Sequence, residues 1–223
     1  MGRIHLGSIL GTSIDLDFSF IILVAFWVMS YVQSAGMKYA LLWVPVLFIS
    51  VLFHELAHAS MIGGFGFGPS HILLQGIGGV TVNERRARPW QDLFISAAGP
   101  LSSFLLAITV RFLFLRIPGM QRDPFFAAFV PLLAQANILW GFFNLLPVAP
   151  LDGYGMVRHF LRMLLSERTA FMISIWLSMI VGGVLVLASV YLKQPFIALL
   201  LLWFIRSSYL QWQFFRSSDR TDD

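Results

Sequence analysis

The stretch Ala40-Leu-Leu-Trp-Val-Pro-Val-Leu-Phe-Ile-Ser-Val-Leu-Phe-His54-Glu55-Leu56-Ala57-His58-Ala-Ser-Met-Ile62 decides how the rest of the chain is read. It is long and apolar enough to cross a bilayer, which takes ~20 helical residues. Yet three ionisable side chains, His54, Glu55 and His58, fall inside it. Such groups are costly at membrane depth, so their presence in a span points to function. Residues four apart on a helix share one face. Both imidazoles then reach one metal ion at ~2.0–2.1 Å. His-Glu-x-x-His is the zinc-hydrolase spacing. Glu55 sits beside the metal and is expected to take a proton from activated water and pass it on. Chance is a poor explanation, because the whole chain holds only 5 His.

Composition agrees with a membrane setting. Of 223 residues, 58% are hydrophobic and 12% charged, and the mean hydropathy is +0.79. Soluble domains carry about a quarter charged residues. There is no Cys, so a metal must be held by His, Asp or Glu. The net charge of +4 is read as basic loops facing anionic lipid, and no nucleic-acid partner is expected. No cleavable signal peptide is evident between Met1 and Thr12.

Six spans are expected, at about 16–32, 40–62, 93–115, 125–146, 169–192 and 196–213. Pro45 and Pro131 are expected to bend their helices. Residues 1–215 read as a single membrane-embedded domain and 216–223 as a polar tail. With six spans, Arg3, Arg85, Arg86, Arg88, Arg158, Arg162, Arg168, Arg206, Arg216 and Arg220 share one side. Lys38, Arg116, Arg122 and Lys193 lie on the other. The positive-inside bias puts both termini in the cytoplasm. His54 and His58 then fall in the cytoplasmic half of their span. Between the second and third spans lie seven glycines, Gly63 to Gly79, and two strand-like runs, Ile72–Leu74 and Val80–Val82. That segment reads as a re-entrant β-hairpin, with an ordinary cytoplasmic loop as the alternative.

A catalytic zinc takes three protein ligands and keeps one position open. Most remaining acids have plainer roles. Glu84 and Glu167 sit among arginines, while Asp15, Asp17 and Asp92 stand at the starts of spans, where N-capping is the ordinary role. Asp123 lies on the far side, and Asp219, Asp222 and Asp223 lie in the tail. Asp152 remains, after Asn144-Leu-Leu-Pro-Val-Ala-Pro-Leu151 and before Gly153. A turn is the plain alternative for Asp152-Gly153, and His71 is the next candidate ligand.

These residues resemble the site-2 protease family of intramembrane zinc metalloproteases in a minimal six-span form. The likeness rests on His54-Glu55-Leu56-Ala57-His58 and on the segment from Asn144 to Asp152-Gly153. Ala97-Ala98-Gly99-Pro100-Leu101 and Gly78-Gly79 add to it. The resemblance implies that His54, His58 and Asp152 bind one zinc ion per chain and that Glu55 is the general base. It implies that Asn144 helps hold the substrate or its oxyanion. It further implies that the hairpin pairs with an unwound stretch of substrate, which suits a helix whose peptide bonds are otherwise hidden.

The expectation is therefore an all-α polytopic protein of six transmembrane helices with a small re-entrant β-hairpin between helices 2 and 3. Its activity would be zinc-dependent cleavage of a membrane-protein segment within the lipid bilayer of a prokaryotic cell. A zinc transporter or sensor is the alternative, and so is a prenyl-protein-type protease. The first needs a polar route to both faces. The second takes a downstream helical Glu as ligand, and neither Glu84 nor Glu167 lies in a span. Substrate identity and oligomeric state are not legible.

Overall fold

The computed structural model describes residues 2–9, 11–76, 78–84 and 87–219. Arg85, Arg86, Arg220, Asp222 and Asp223, invoked above, lie outside the described residues. Two strands open the chain, β1 (Arg3–Ile9) and β2 (Thr12–Asp17). Helices α1 (Phe18–Ala35), α2 (Met37–Ala40) and α3 (Trp43–Gly64) follow, then strands β3 (His71–Gln75) and β4 (Gly78–Val82). The remainder is helical: α4 (Pro89–Arg116), α5 (Pro118–Arg122), α6 (Pro124–Asn144), α7 (Asp152–Arg162), α8 (Glu167–Tyr191) and α9 (Pro195–Asp219).

The chain is mostly helical, as expected, but its sheet is larger than the single hairpin expected. The four strands form one sheet in the order β1-β2-β3-β4. The β3–β4 hairpin is present, but it is the outer half of a larger sheet. β2 and β3 pair in parallel, Ser13 opposite His71 and Leu16 opposite Leu74, while the other two pairs are antiparallel. The overlooked signal is the alternation in Thr12-Ser-Ile-Asp-Leu-Asp17, whose period of two suits a half-buried strand. Residues 16 and 17 therefore end a strand instead of opening the first span. The helix starts at Phe18 because Asp17 caps it, accepting the Ser19 N–H at 2.9 Å.

Four helical segments are long and apolar enough to cross a membrane: Met37–Gly64, Pro89–Arg116, Pro124–Asn144 and Glu167–Tyr191. They make this an integral membrane protein. The apolar part of α1, Phe18–Ser34, is shorter, and α9 carries Arg206 and Arg216. Residues 216–219, expected in a polar tail, continue α9. Pro45 lies in the first turn of α3, where a missing N–H costs nothing. Pro131 is internal to α6, as Pro100 is to α4.

The contacts define two compact units, Met1–Arg86 with Ala98–Phe142 and Ala87–Ala97 with Phe143–Asp223. In the first, Ile14, Ile72 and Leu74 of the sheet pack with Phe20, Val51 and Ala59 of α1 and α3. Trp43, Val46 and Leu47 of α3 pack on Leu132, Leu133 and Ala136 of α6. In the second, Val148 and Leu151 pack on Leu201 and Phe204, and Ala149 and Tyr154 on Phe171 and Ile175. Both clusters of the second unit anchor the chain just before or after Asp152.

Candidate metal centre

Helix α3 is fixed on two sides by those apolar contacts, and its C-terminal half carries the ionisable residues inward. His54, Glu55 and His58 are 2%, 5% and 7% exposed. The Nε2 atoms of His54 and His58 lie 3.2 Å apart, with the rings nearly perpendicular at 77°. Two nitrogens bound tetrahedrally to one ion at ~2.0–2.1 Å stand about 3.3 Å apart. The pair thus presents the spacing that an ion requires.

Orientation of His54 comes from α4. Its Nδ1 lies 3.0 Å from Ser103 Oγ, which is fully buried. The Ser103 hydroxyl donates to the Gly99 carbonyl at 3.3 Å. With that proton committed, the hydroxyl accepts from His54 Nδ1–H, leaving the Nε2 lone pair for a metal. Gly99 itself is required here. A Cβ at that position would stand 2.5 Å from His54 Nε2 and collide with His58 Nε2, filling the cradle between the two nitrogens.

Glu55 faces the sheet. Thr81 Oγ1 donates to its Oε2 at 2.7 Å and lies 3.2 Å from its backbone carbonyl. Gly79, two residues earlier on the same face of β4, lies against the same side chain. A Cβ there would stand 2.5 Å from Glu55 Oε1. The Trp140 ring lies edge-on to His54, centroids 6.4 Å apart.

Asp152 is the first residue of α7. The preceding segment is tied down, with Ala149 N–H donating to Ser178 Oγ at 2.9 Å and Val148 N–H to the Leu146 carbonyl at 2.7 Å. Gly153 is buried, and a Cβ on it would collide with the Leu145 carbonyl. Asp152-Gly153 is therefore a helix start and no exposed turn. Nearby, burial pushes the Tyr154 phenol up, opposed by the Arg158 cation. His54, His58 and Asp152 are side chains that could hold a metal ion. Two imidazoles and a carboxylate are a donor set found at catalytic zinc sites, and the residues fit such an ion.

The other candidates go elsewhere. His71 bonds Ser13 Oγ at 2.7 Å and approaches Asp15 at 3.6 Å. Asp15, expected to cap a helix, is on β2 and bonded to His5 at 2.8 Å. Asp123 caps α6 through Phe125 N–H at 2.8 Å. Glu167 pairs with Arg158 and Arg162, and Asp92 faces His159 and Arg162. Asn144 ends α6 and is buried. Sequence reading overlooked Ser103 and Thr81. The available signal was their spacing, Ser103 one turn after Gly99 and Thr81 two strand positions after Gly79.

No protein-family model matches the chain. It is 30% identical over 188 residues to a zinc metalloprotease of Methanocaldococcus jannaschii, covering 82% of this chain and 52% of that protein. A Mycobacterium tuberculosis protein bearing a zinc-metalloprotease name is 38% identical over 117 residues, covering 52% of this chain and 30% of its own. The chain thus spans about half the length, or less, of these curated relatives. Among solved structures, the site-2 protease from Methanocaldococcus jannaschii superposes with a TM-score of 0.67 at 25% identity, covering 94% of both chains.

Proposed function

We propose that this chain, which belongs to the site-2 protease family, is a zinc-dependent endopeptidase that cuts a membrane-spanning segment of another protein within the bilayer. The observation that carries the reading is the pair of buried imidazole nitrogens 3.2 Å apart beside a buried carboxylate held by a strand. His54, His58 and Asp152 would hold the zinc. When bound, zinc supplies Lewis acidity toward water and the peptide carbonyl. Glu55 takes the proton of the attacking water at its carboxylate and delivers it to the leaving amide nitrogen, so that the C–N bond breaks without forming a free amide anion. Asn144, by the family resemblance, hydrogen-bonds the substrate or the oxyanion that develops on it.

The same reading takes residues 1–215 as one protease domain with six spans, both termini cytoplasmic and the hairpin dipping toward the site. An extended substrate stretch would add to β4, which has a strand on one side only among the described residues. The test is Glu55→Gln, assayed on a quenched-fluorescent single-span peptide chosen because the wild-type chain cleaves it. The variant is expected to retain one zinc per chain and lose cleavage at least a hundredfold. Cleavage at the wild-type rate would overturn the assignment of the base.

A further inference from the structure

We propose that Thr81 is a positioning residue for Glu55, its hydroxyl fixing from strand β4 the direction in which the carboxylate of helix α3 points. This rests on the reading of Glu55 as the proton acceptor. A glutamate side chain has several rotatable bonds, and ordering it has an entropic cost that falls on the reaction unless it is met beforehand. Nothing in α3 itself meets that cost. Thr81 does so with its one hydroxyl proton, which can go to Oε2 at 2.7 Å or to the backbone carbonyl of Glu55 at 3.2 Å. The carboxylate bond is the shorter of the two.

The anchor behind the hydroxyl is rigid. Thr81 pairs with Ile72 across the hairpin, and Ile72 is fully buried in the core formed with α1 and α3. Gly79 completes the arrangement by leaving room for the Glu55 carboxylate where a side chain would collide. One face of β4 thus has two tasks, space at Gly79 and a fixed donor at Thr81. An extended segment lying beside β4 would meet a carboxylate that is already oriented.

Thr81→Val keeps the branched shape and removes the donor, while Thr81→Ser keeps the donor. On the peptide above, Thr81→Val is expected to lower kcat at least tenfold, with KM and zinc affinity within about twofold of wild type. Thr81→Ser is expected to recover most of kcat at an unchanged melting temperature. Thr81→Val turning over at the wild-type rate would overturn the proposal. So would a rise in KM with kcat intact, which would make Thr81 a substrate-binding residue, and so would a Thr81→Ser as slow as the valine variant. Glu55→Gln run alongside separates the two levels. If it is inactive while Thr81→Val is fully active, Glu55 stands as the base and Thr81 falls. If Glu55→Gln is active, both fall.

Discussion

The imidazole of His54 and the hydroxyl of Ser103 meet at 3.0 Å, Nδ1 to Oγ, inside the core between α3 and α4. This contact selects the tautomer whose Nε2 carries no proton and can act as a metal ligand. Ser103→Ala should therefore weaken zinc binding by about 10–100-fold, the usual effect of losing an outer-shell partner. Competition against a chelator of known affinity measures it. An unchanged affinity would mean that packing alone orients the ring.

Gly99→Ala should abolish zinc binding, because the added methyl would occupy the space between His54 Nε2 and His58 Nε2. Alanine favours an internal helical position over glycine by about 1 kcal/mol, but crowding two buried imidazoles costs about 1–3 kcal/mol. The metal-free variant should therefore melt no higher than metal-free wild type. Metal content of the purified variant is the deciding measurement. Normal zinc content in this variant would contradict the crowding argument.

Gly79→Ala should act on the other side of the site. Its methyl would displace the Glu55 side chain, not the histidines. Zinc content is expected to stay near one per chain while peptide cleavage falls at least tenfold. Loss of zinc here would show that β4 also supports the metal ligands.

Asp17 should make a small, pH-dependent contribution to holding the start of α1. The Ser19 hydroxyl lowers its carboxyl below the ordinary value of 3.8, with the Ser19 N–H adding to the effect. A carboxyl lowered on folding stabilises the fold above its unfolded pKa and loses that contribution as pH falls through the folded value. Asp17→Ala should therefore lower the melting temperature at about pH 6, and its gap from wild type should narrow as pH drops below about 3.8. A gap that persists unchanged in acid would assign the effect to something other than this carboxylate.

Much of the molecule was legible because its signals are local. Histidines 54 and 58 share a helix face by spacing alone, and the apolar runs locate α3, α4, α6 and α8 to within a few residues. Elimination singles out Asp152 as the candidate acid, since so few acids lie outside charged loops, and leaves a turn open. The N-terminal strands were harder. Their alternation is visible only over Thr12–Asp17, and β2 acquires its parallel partner from His71–Leu74, more than fifty residues later.

What the sequence by itself determined is that two histidines share one face of an apolar helix and that the chain has membrane character, because helical periodicity and hydropathy depend on near neighbours. What only the tertiary structure decided is how that face is held. Ser103 orients His54 from 49 residues away, and Thr81 holds Glu55 from 26 residues away. Neither residue type is distinctive in a sequence. A hydroxyl acquires such a role only when packing delivers it to within hydrogen-bond reach of one particular nitrogen or carboxylate, and that placement comes from the apolar contacts of α3 with its neighbours, not from any local motif.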